Sequence, residues 1–291
     1  MTIFIQHAAN LDPTLPPGSL TSLQNCLVNR VKWVEVDIIP LKGGDFALLH
    51  DPKLEHISNG LGDVFEKTAD QVKQLVYKGQ KSWGKNIQLG TLSQALLLLK
   101  EDPDHTNLQL DLKPYAPLSP EVLRNLLDLI EPVKNRILIS CVADWAVRQL
   151  RKMDSVVKLG FDPLLYLDIV SKEPRPEGVP PFRIGEFGYL DDHPLAAQKW
   201  GEPGDYFALR AEALFCQVPR GVTWFLNADL LTDALDAGFN WIGYLNKNES
   251  LVDAWTVDLD RKELASRLIK DGIDFLTSND VKLLEEQIQL S

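Results

Sequence analysis

In Val34-Glu35-Val36-Asp37-Ile38, two carboxylates alternate with aliphatic residues, so a strand here puts both acids on one face. Burying two carboxylates side by side costs several kcal/mol, to order of magnitude, unless they are paired or bound to a cation. The chain then turns through Lys42-Gly43-Gly44-Asp45, re-enters an apolar run at 46–49 and ends on His50-Asp51-Pro52. Two acids and then a histidine at the mouth of the next strand suit a hard divalent cation with a proton carrier beside it. The same pattern also fits an exposed edge strand whose acids are simply solvated. A second polar stripe repeats the logic: Gln109, Asp111 and Lys113 share one face of residues 107–113, and Leu108, Leu110 and Leu112 share the other. Asp111 and Lys113 either join the same site or form a buried ion pair that closes a core. His7, directly after the apolar run 3–6, is a further candidate.

The elements that would carry these residues alternate short apolar runs with amphipathic helical patterns. Strands are expected at 3–6, around Glu35, and at 107–113, 136–142, 156–160, 222–226, 251–257 and 273–277. Helices are expected at 20–29, at 92–100 behind an N-cap at Thr91, and after Ser119-Pro120-Glu121. Further helices are expected up to 152 behind a cap at Asp144, and at 229–237, 261–270 and 280–290. Residues 54–90, with a helical stretch near 68–76, are too long for a plain loop and read as a small inserted subdomain. Residues 171–206, rich in Pro and Gly, read as an irregular excursion over one end of the molecule.

Strand-then-helix units over this length imply an α/β fold with a parallel sheet and helices outside it. Eight units favour a closed TIM (β/α)8 barrel, one domain over residues 1–291, with the insertion after the second strand. No G-x-G-x-x-G and no G-x-x-x-x-G-K follows a strand, so an open nucleotide-binding sheet has no support. In such a barrel, functional groups sit at the C-terminal strand ends. His7, Glu35, Asp37, His50, Asp111 and Lys113 all fall near such ends.

Composition narrows the partners. A net charge of −11 argues against a general nucleic-acid binder and against a protein held to membranes by charge. An acidic protein acting on phosphate needs a local cation to offset its own field, and a bound metal is the simplest. Cys26, Cys141 and Cys216 are odd in number and lack ligand spacing, which argues against a disulfide framework. The first ten residues lack the basic start and the apolar length of a signal peptide, and no apolar run reaches spanning length. The expectation is a soluble cytoplasmic protein with no stable membrane insertion. His56, His105 and His193 lie in loops or the insertion and read as surface histidines.

His7, V-E-V-D-I (34–38), L-L-H-D-P (48–52) and L-D-L-K (110–113) resemble, in order and spacing, the glycerophosphodiester phosphodiesterases of the PLC-like phosphodiesterase superfamily. The resemblance extends to L-E-H-I-S-N-G-L-G (54–62), D-A-W-T-V-D (253–258) and D-G-I-D-F-L-T-S-N (271–279). It implies a TIM barrel and one divalent cation, Mg²⁺ or Ca²⁺, ligated by Glu35, Asp37 and Asp111. It also implies His7 and His50 as an acid/base pair and Lys113 on phosphate, with a small phosphodiester or lysophospholipid as substrate. Asn10 and Trp255 are added as substrate contacts, with a core role open for Trp255. The chain departs from the family at His7-Ala8-Ala9, where His-Arg-Gly is usual, and at Asp111, where Glu is usual. Ser19-Leu20-Thr21 stands where Glu-Asn-Thr usually opens the first helix. Position 8 is expected just past the strand end, at the open mouth. H-A-A-N (7–10) is also similar to menorin-type proteins, and L-D-L-K and A-W-T-V to spider sphingomyelinase D. The menorin-like alternative is a barrel that binds a phosphorylated ligand with little or no turnover.

Overall fold

The structure, a computed structural model, describes residues 2–79, 83, 86–103, 106–113, 118–167 and 202–289. In chain order its strands are β1 (Ile3–Gln6), β2 (Trp33–Pro40), β3 (Phe46–Ala47), β4 (Asn107–Leu112), β5 (Ile137–Cys141), β6 (Lys158–Phe161), β7 (Thr223–Asn227), β8 (Val252–Trp255) and β9 (Phe275–Ser278). All but β3 are parallel, in the order β1-β9-β8-β7-β6-β5-β4-β2, and a further β1–β2 pairing closes the ring. The result is an eight-stranded parallel barrel surrounded by helices, a (β/α)8 TIM barrel.

Period-two alternation divides each strand between two cores. Val34, Val36, Ile38, Leu108, Leu110 and Leu112 point outward and are buried beneath the helices. Inside the barrel, Ile5, Leu138, Phe225 and Phe275 form a separate plug, with Trp33 and Trp255 packed on it. Trp33 meets Phe275 edge-on at 5.6 Å between centroids. Gly160 makes room for this plug, since a Cβ there would lie 2.4 Å from the Phe225 ring. Polar residues follow above the plug, where the register sets Glu35 beside Gln109 and Asp37 beside Asp111, which in turn neighbours Ser140. At the level where β4 and β5 begin, buried Arg136 donates to the carbonyls of Leu99 and Thr106 and to Asp102, tying three segments together.

The apolar run after the acidic strand is not a barrel strand. Gly43 (φ +92°) and Gly44 (φ +93°) take up left-handed backbone that a side chain disfavours, and they turn the chain back on itself. β3 is therefore a two-residue strand antiparallel to β2, pairing Ala47 with Ile39 and Phe46 with Pro40. Beyond it, the described part of 54–90 contains short helices at Leu54–Ile57 and Ala69–Val72. A small cluster of its own, with Leu54, Val64, Val72 and Leu89 against Ile39, Leu41, Ala47 and Leu49, holds this segment to the hairpin.

Helices occupy Leu20–Val28, Leu92–Glu101, Pro120–Ile130, Asp144–Met153, Ala228–Asp236, Lys262–Lys270 and Val281–Gln289, close to the expected spans. Asp144 is not a cap: Ala143 takes that position, and Asp144 in the first turn accepts from the Tyr166 hydroxyl and pairs with Arg148. A negative charge there also complements the helix dipole. Among the described residues, two helices of seven residues or more escaped the sequence reading, Pro203–Gln217 and Trp241–Lys247. The first overlaps the end of the expected irregular excursion, whose residues 171–201 lie outside the described residues, as do His105 and His193.

Candidate active site

Glu35, Asp37 and Asp111 converge at the C-terminal end of β2 and β4. Each offers a carboxylate oxygen, and these oxygens all lie within 4.8 Å of one another. Glu35 is the deepest: burial, and then the like charges of Asp37 and Asp111, hold its carboxyl well above the ordinary carboxylate range. Its Oε2 accepts the Ala8 backbone N–H at 2.7 Å, which fixes one oxygen of the carboxylate. Asp111 Oδ1 accepts from Ser140 Oγ at 2.8 Å, and Ser140 in turn accepts from Gln109 Nε2 at 3.0 Å.

Lys113 reaches into the same cluster, with Nζ 2.9 Å from Asp37 Oδ1 and 2.5 Å from Asp111 Oδ2. Burial works against its charge, but Asp111 and Asp37 outweigh burial and hold its pKa above the ordinary lysine value. Fully ionised, three carboxylates and one ammonium leave a formal −2 in this pocket, which one divalent cation would neutralise. The donors are all oxygens, the set that hard cations such as Mg²⁺ and Ca²⁺ take. The chain therefore carries a carboxylate-rich site that fits such an ion.

His7 leaves β1 in a tight turn over His7–Ala9. Its Nε2 lies 3.9 Å from Glu35 Oε2, and its Nδ1 is 3.0 Å from Asn279 Oδ1. Ala8 and Ala9 both hold left-handed φ of 47°, a conformation that costs an L-residue roughly 1–2 kcal/mol. The turn is anchored by Gly18 N–H on the Ala8 carbonyl and by the Cys26 thiol on the Ala9 carbonyl. Position 8 is not open: Ala8 is only 9% exposed, so the expected room for a long side chain at the mouth is absent. The turn aims the Ala8 N–H inward at Glu35, and this buries its methyl.

His50 is exposed on the chain leaving β3, whose antiparallel course carries it back along β2, away from that strand's C-terminal end. Burial raises the neighbouring Asp51 carboxyl, but hydrogen bonds from Lys53 and His56 and, last, the nearby His56 and His50 rings outweigh it and hold it low. Asn10 ends the His7 turn, with its N–H on the His7 carbonyl and its side-chain oxygen buried. Trp255 at the end of β8 is half-buried on the interior plug, so at least part of its ring serves the core.

The barrel interior adds acids that the sequence reading passed over. Burial pushes Asp162, just past β6, up to about 7, with the charge of Asp111 adding to the rise. Burial pushes Asp253 on β8 up to about 8; its Oδ1 accepts from Thr277 Oγ1 at 2.9 Å, and its Oδ2 has no partner among the described residues. Asn279 and Asp258, also overlooked, stand behind His7. Both follow strand ends, which is the signal that a barrel topology offers for them.

No protein-family model matches the chain. It is 23% identical over 288 residues to a glycerophosphodiester phosphodiesterase of Caldanaerobacter subterraneus subsp. tengcongensis, covering 97% of this chain and 96% of that protein. Among solved structures, it is similar to an Oleispira antarctica phosphodiesterase in complex with the product sn-glycerol-3-phosphate, with TM-score 0.67, 18% identity, and 99% and 97% of the two chains covered. It is likewise similar to a glycerophosphodiester phosphodiesterase from Parabacteroides distasonis, with TM-score 0.69, 15% identity, and 99% and 97% covered. The likeness in sequence and in fold runs over nearly the whole length, and the fold shared with these structures is the (β/α)8 barrel. No helix among the described residues is long and apolar enough to cross a membrane.

Proposed function

We propose that this chain hydrolyses glycerophosphodiesters or related lysophospholipids with the help of one divalent cation, Mg²⁺ or Ca²⁺. The observation that carries the proposal is the convergence of Glu35, Asp37 and Asp111 with His7 at the barrel mouth. Glu35, Asp37 and Asp111 would hold the cation, which when bound offsets phosphate charge and lowers the pKa of a coordinated hydroxyl. His7 and His50 form the acid/base pair: one takes the proton of the attacking hydroxyl, and the other returns a proton to the departing alcohol. Lys113 would place a positive charge beside the phosphate, and Asn10 and Trp255 would contact the substrate. The substrate class rests on the likeness to glycerophosphodiester enzymes and on the glycerol phosphate bound by the Oleispira protein.

The test is metal-dependent release of alcohol from a panel of glycerophosphodiesters and lysophospholipids. EDTA should abolish turnover, and His7→Ala and His50→Ala should each lower kcat by roughly 10²-fold or more with far less effect on KM. A chain that binds the panel without turnover, its affinity falling in step in both variants, would instead be a phospholigand-binding barrel.

A further inference from the structure

We propose that Asp258 and Asn279 are positioning residues that fix the tautomer of His7, leaving Nε2 as the free acceptor facing the carboxylate cluster. The inference rests on the reading of His7 as a proton carrier. It adds which nitrogen works and what selects it.

The hydrogen bonds run in one direction only. Asp258 Oδ1 accepts the Asn279 backbone N–H at 2.8 Å, and Asp258 Oδ2 lies 3.0 Å from Asn279 Nδ2. A carboxylate can only accept, so the end of the Asn279 amide that faces it must be the NH₂. The oxygen of Asn279 then faces His7 Nδ1 at 3.0 Å, and an amide oxygen can only accept. His7 Nδ1 is therefore the protonated nitrogen. In the neutral ring this leaves the lone pair on Nε2, the nitrogen 3.9 Å from Glu35 Oε2. The Asn279 backbone is itself pinned, because its carbonyl accepts from Gln6 Nε2 at 2.8 Å. A neutral His7 so oriented takes a proton first: the hydroxyl O–H breaks, Nε2–H forms, and the oxygen's electron pair is freed to attack phosphorus. As the new P–O bond forms, the P–O bond to the leaving alcohol breaks, and that oxygen takes its proton from His50.

The pair can be inverted by single-atom changes. In Asp258→Asn, the side-chain oxygen must stay on the Asn279 backbone N–H, so its new NH₂ faces the Asn279 amide. That amide then flips, presents NH₂ to His7 Nδ1, and drives the ring proton to Nε2. In the double variant Asp258→Asn/Asn279→Asp, the amide introduced at position 258 donates to the carboxylate introduced at position 279, which again accepts from Nδ1–H.

Long-range ¹H–¹⁵N spectra of the neutral imidazoles, with His7 assigned by its loss in His7→Ala, read the tautomer directly. The wild type should carry the proton on Nδ1, Asp258→Asn on Nε2, and the double variant on Nδ1 again. Turnover should follow: kcat about tenfold or more lower in Asp258→Asn at nearly unchanged KM, and largely recovered in the double variant. A wild-type proton on Nε2, an unchanged tautomer in Asp258→Asn, or a double variant left on Nε2 would overturn the proposal. The expected spectra together with an active His7→Ala would support the pair and overturn only the proton-carrier reading.

Discussion

Asp253 offers a quantitative test of how the barrel interior handles charge. Its folded pKa of about 8 lies far above the ordinary 3.8, because burial disfavours the carboxylate. Between those two values the unfolded chain has released a proton that the folded chain keeps, so stability falls as pH rises. At about pH 7 the penalty is on the order of 4 kcal/mol, at roughly 1.4 kcal/mol for each of about three pH units. Below about pH 4 both states are protonated and the penalty vanishes. Asp253→Asn cannot ionise. Its side-chain oxygen keeps the Thr277 bond, while its NH₂ takes the place of the unpartnered Oδ2 at a cost of roughly 1–3 kcal/mol. The variant should therefore be about 1–3 kcal/mol more stable than wild type near pH 7 and equal or less stable near pH 4. Urea unfolding of both proteins across that range measures the difference directly, since titration of other groups cancels. A difference independent of pH would refute the burial argument for Asp253.

Two further changes probe the site. Ala8→Gly should stabilise by about 1 kcal/mol, because glycine accepts the left-handed φ at no steric cost; a lower Tm would mean that the buried methyl matters more than the backbone. Glu35→Gln should abolish divalent-cation binding by calorimetry while leaving the metal-free protein as stable as wild type or more so, since it relieves both burial and repulsion from Asp37 and Asp111. A markedly lower Tm for the metal-free variant would place Glu35 in a structural network instead.

The barrel was legible because its strands obey a simple rule. Val34-Glu35-Val36-Asp37-Ile38 and Leu108-Gln109-Leu110-Asp111-Leu112 alternate without exception, and alternation alone fixes which side chains face inward. Acids at strand ends were visible for the same reason. What stayed hidden depends on partners remote in sequence. Asp253 alternates with Ala254 and Trp255 on a strand too short to declare an inner face, and its burial comes from neighbours on β7 and β9. Asn279 acquires its role only when closure of β1 on β9 sets it behind His7. The closed environment of Ala8 depends on a double left-handed turn, which two alanines disguise because glycine is the usual sign of positive φ. Trp241–Lys247 follows directly on another helix, with Asn240 as its N-cap, and its seven residues are too few for a clear period.

Arg136 and Lys113 illustrate why ion pairs of similar appearance serve different ends. Arg136 uses its fork on two backbone carbonyls and one carboxylate, so its planar donors are committed and the cluster is rigid. Removing either Arg136 or Asp102 would leave a buried charge or orphaned carbonyls, which is the mark of a structural clamp. Lys113 is a compact charge with three N–H donors, and Asp37 and Asp111 take two of them among the described residues. The third has no acceptor among the described residues, and on the proposed reading a phosphate oxygen would take it. The two carboxylates also keep Lys113 charged despite its burial, so its cation stands ready without a conformational change. On the proposed reading, with alanine at position 8, orientation of the phosphate would fall to Lys113 and to a cation held by Glu35, Asp37 and Asp111, and a point charge beside a metal constrains the rest of the substrate less tightly than a planar guanidinium fork does.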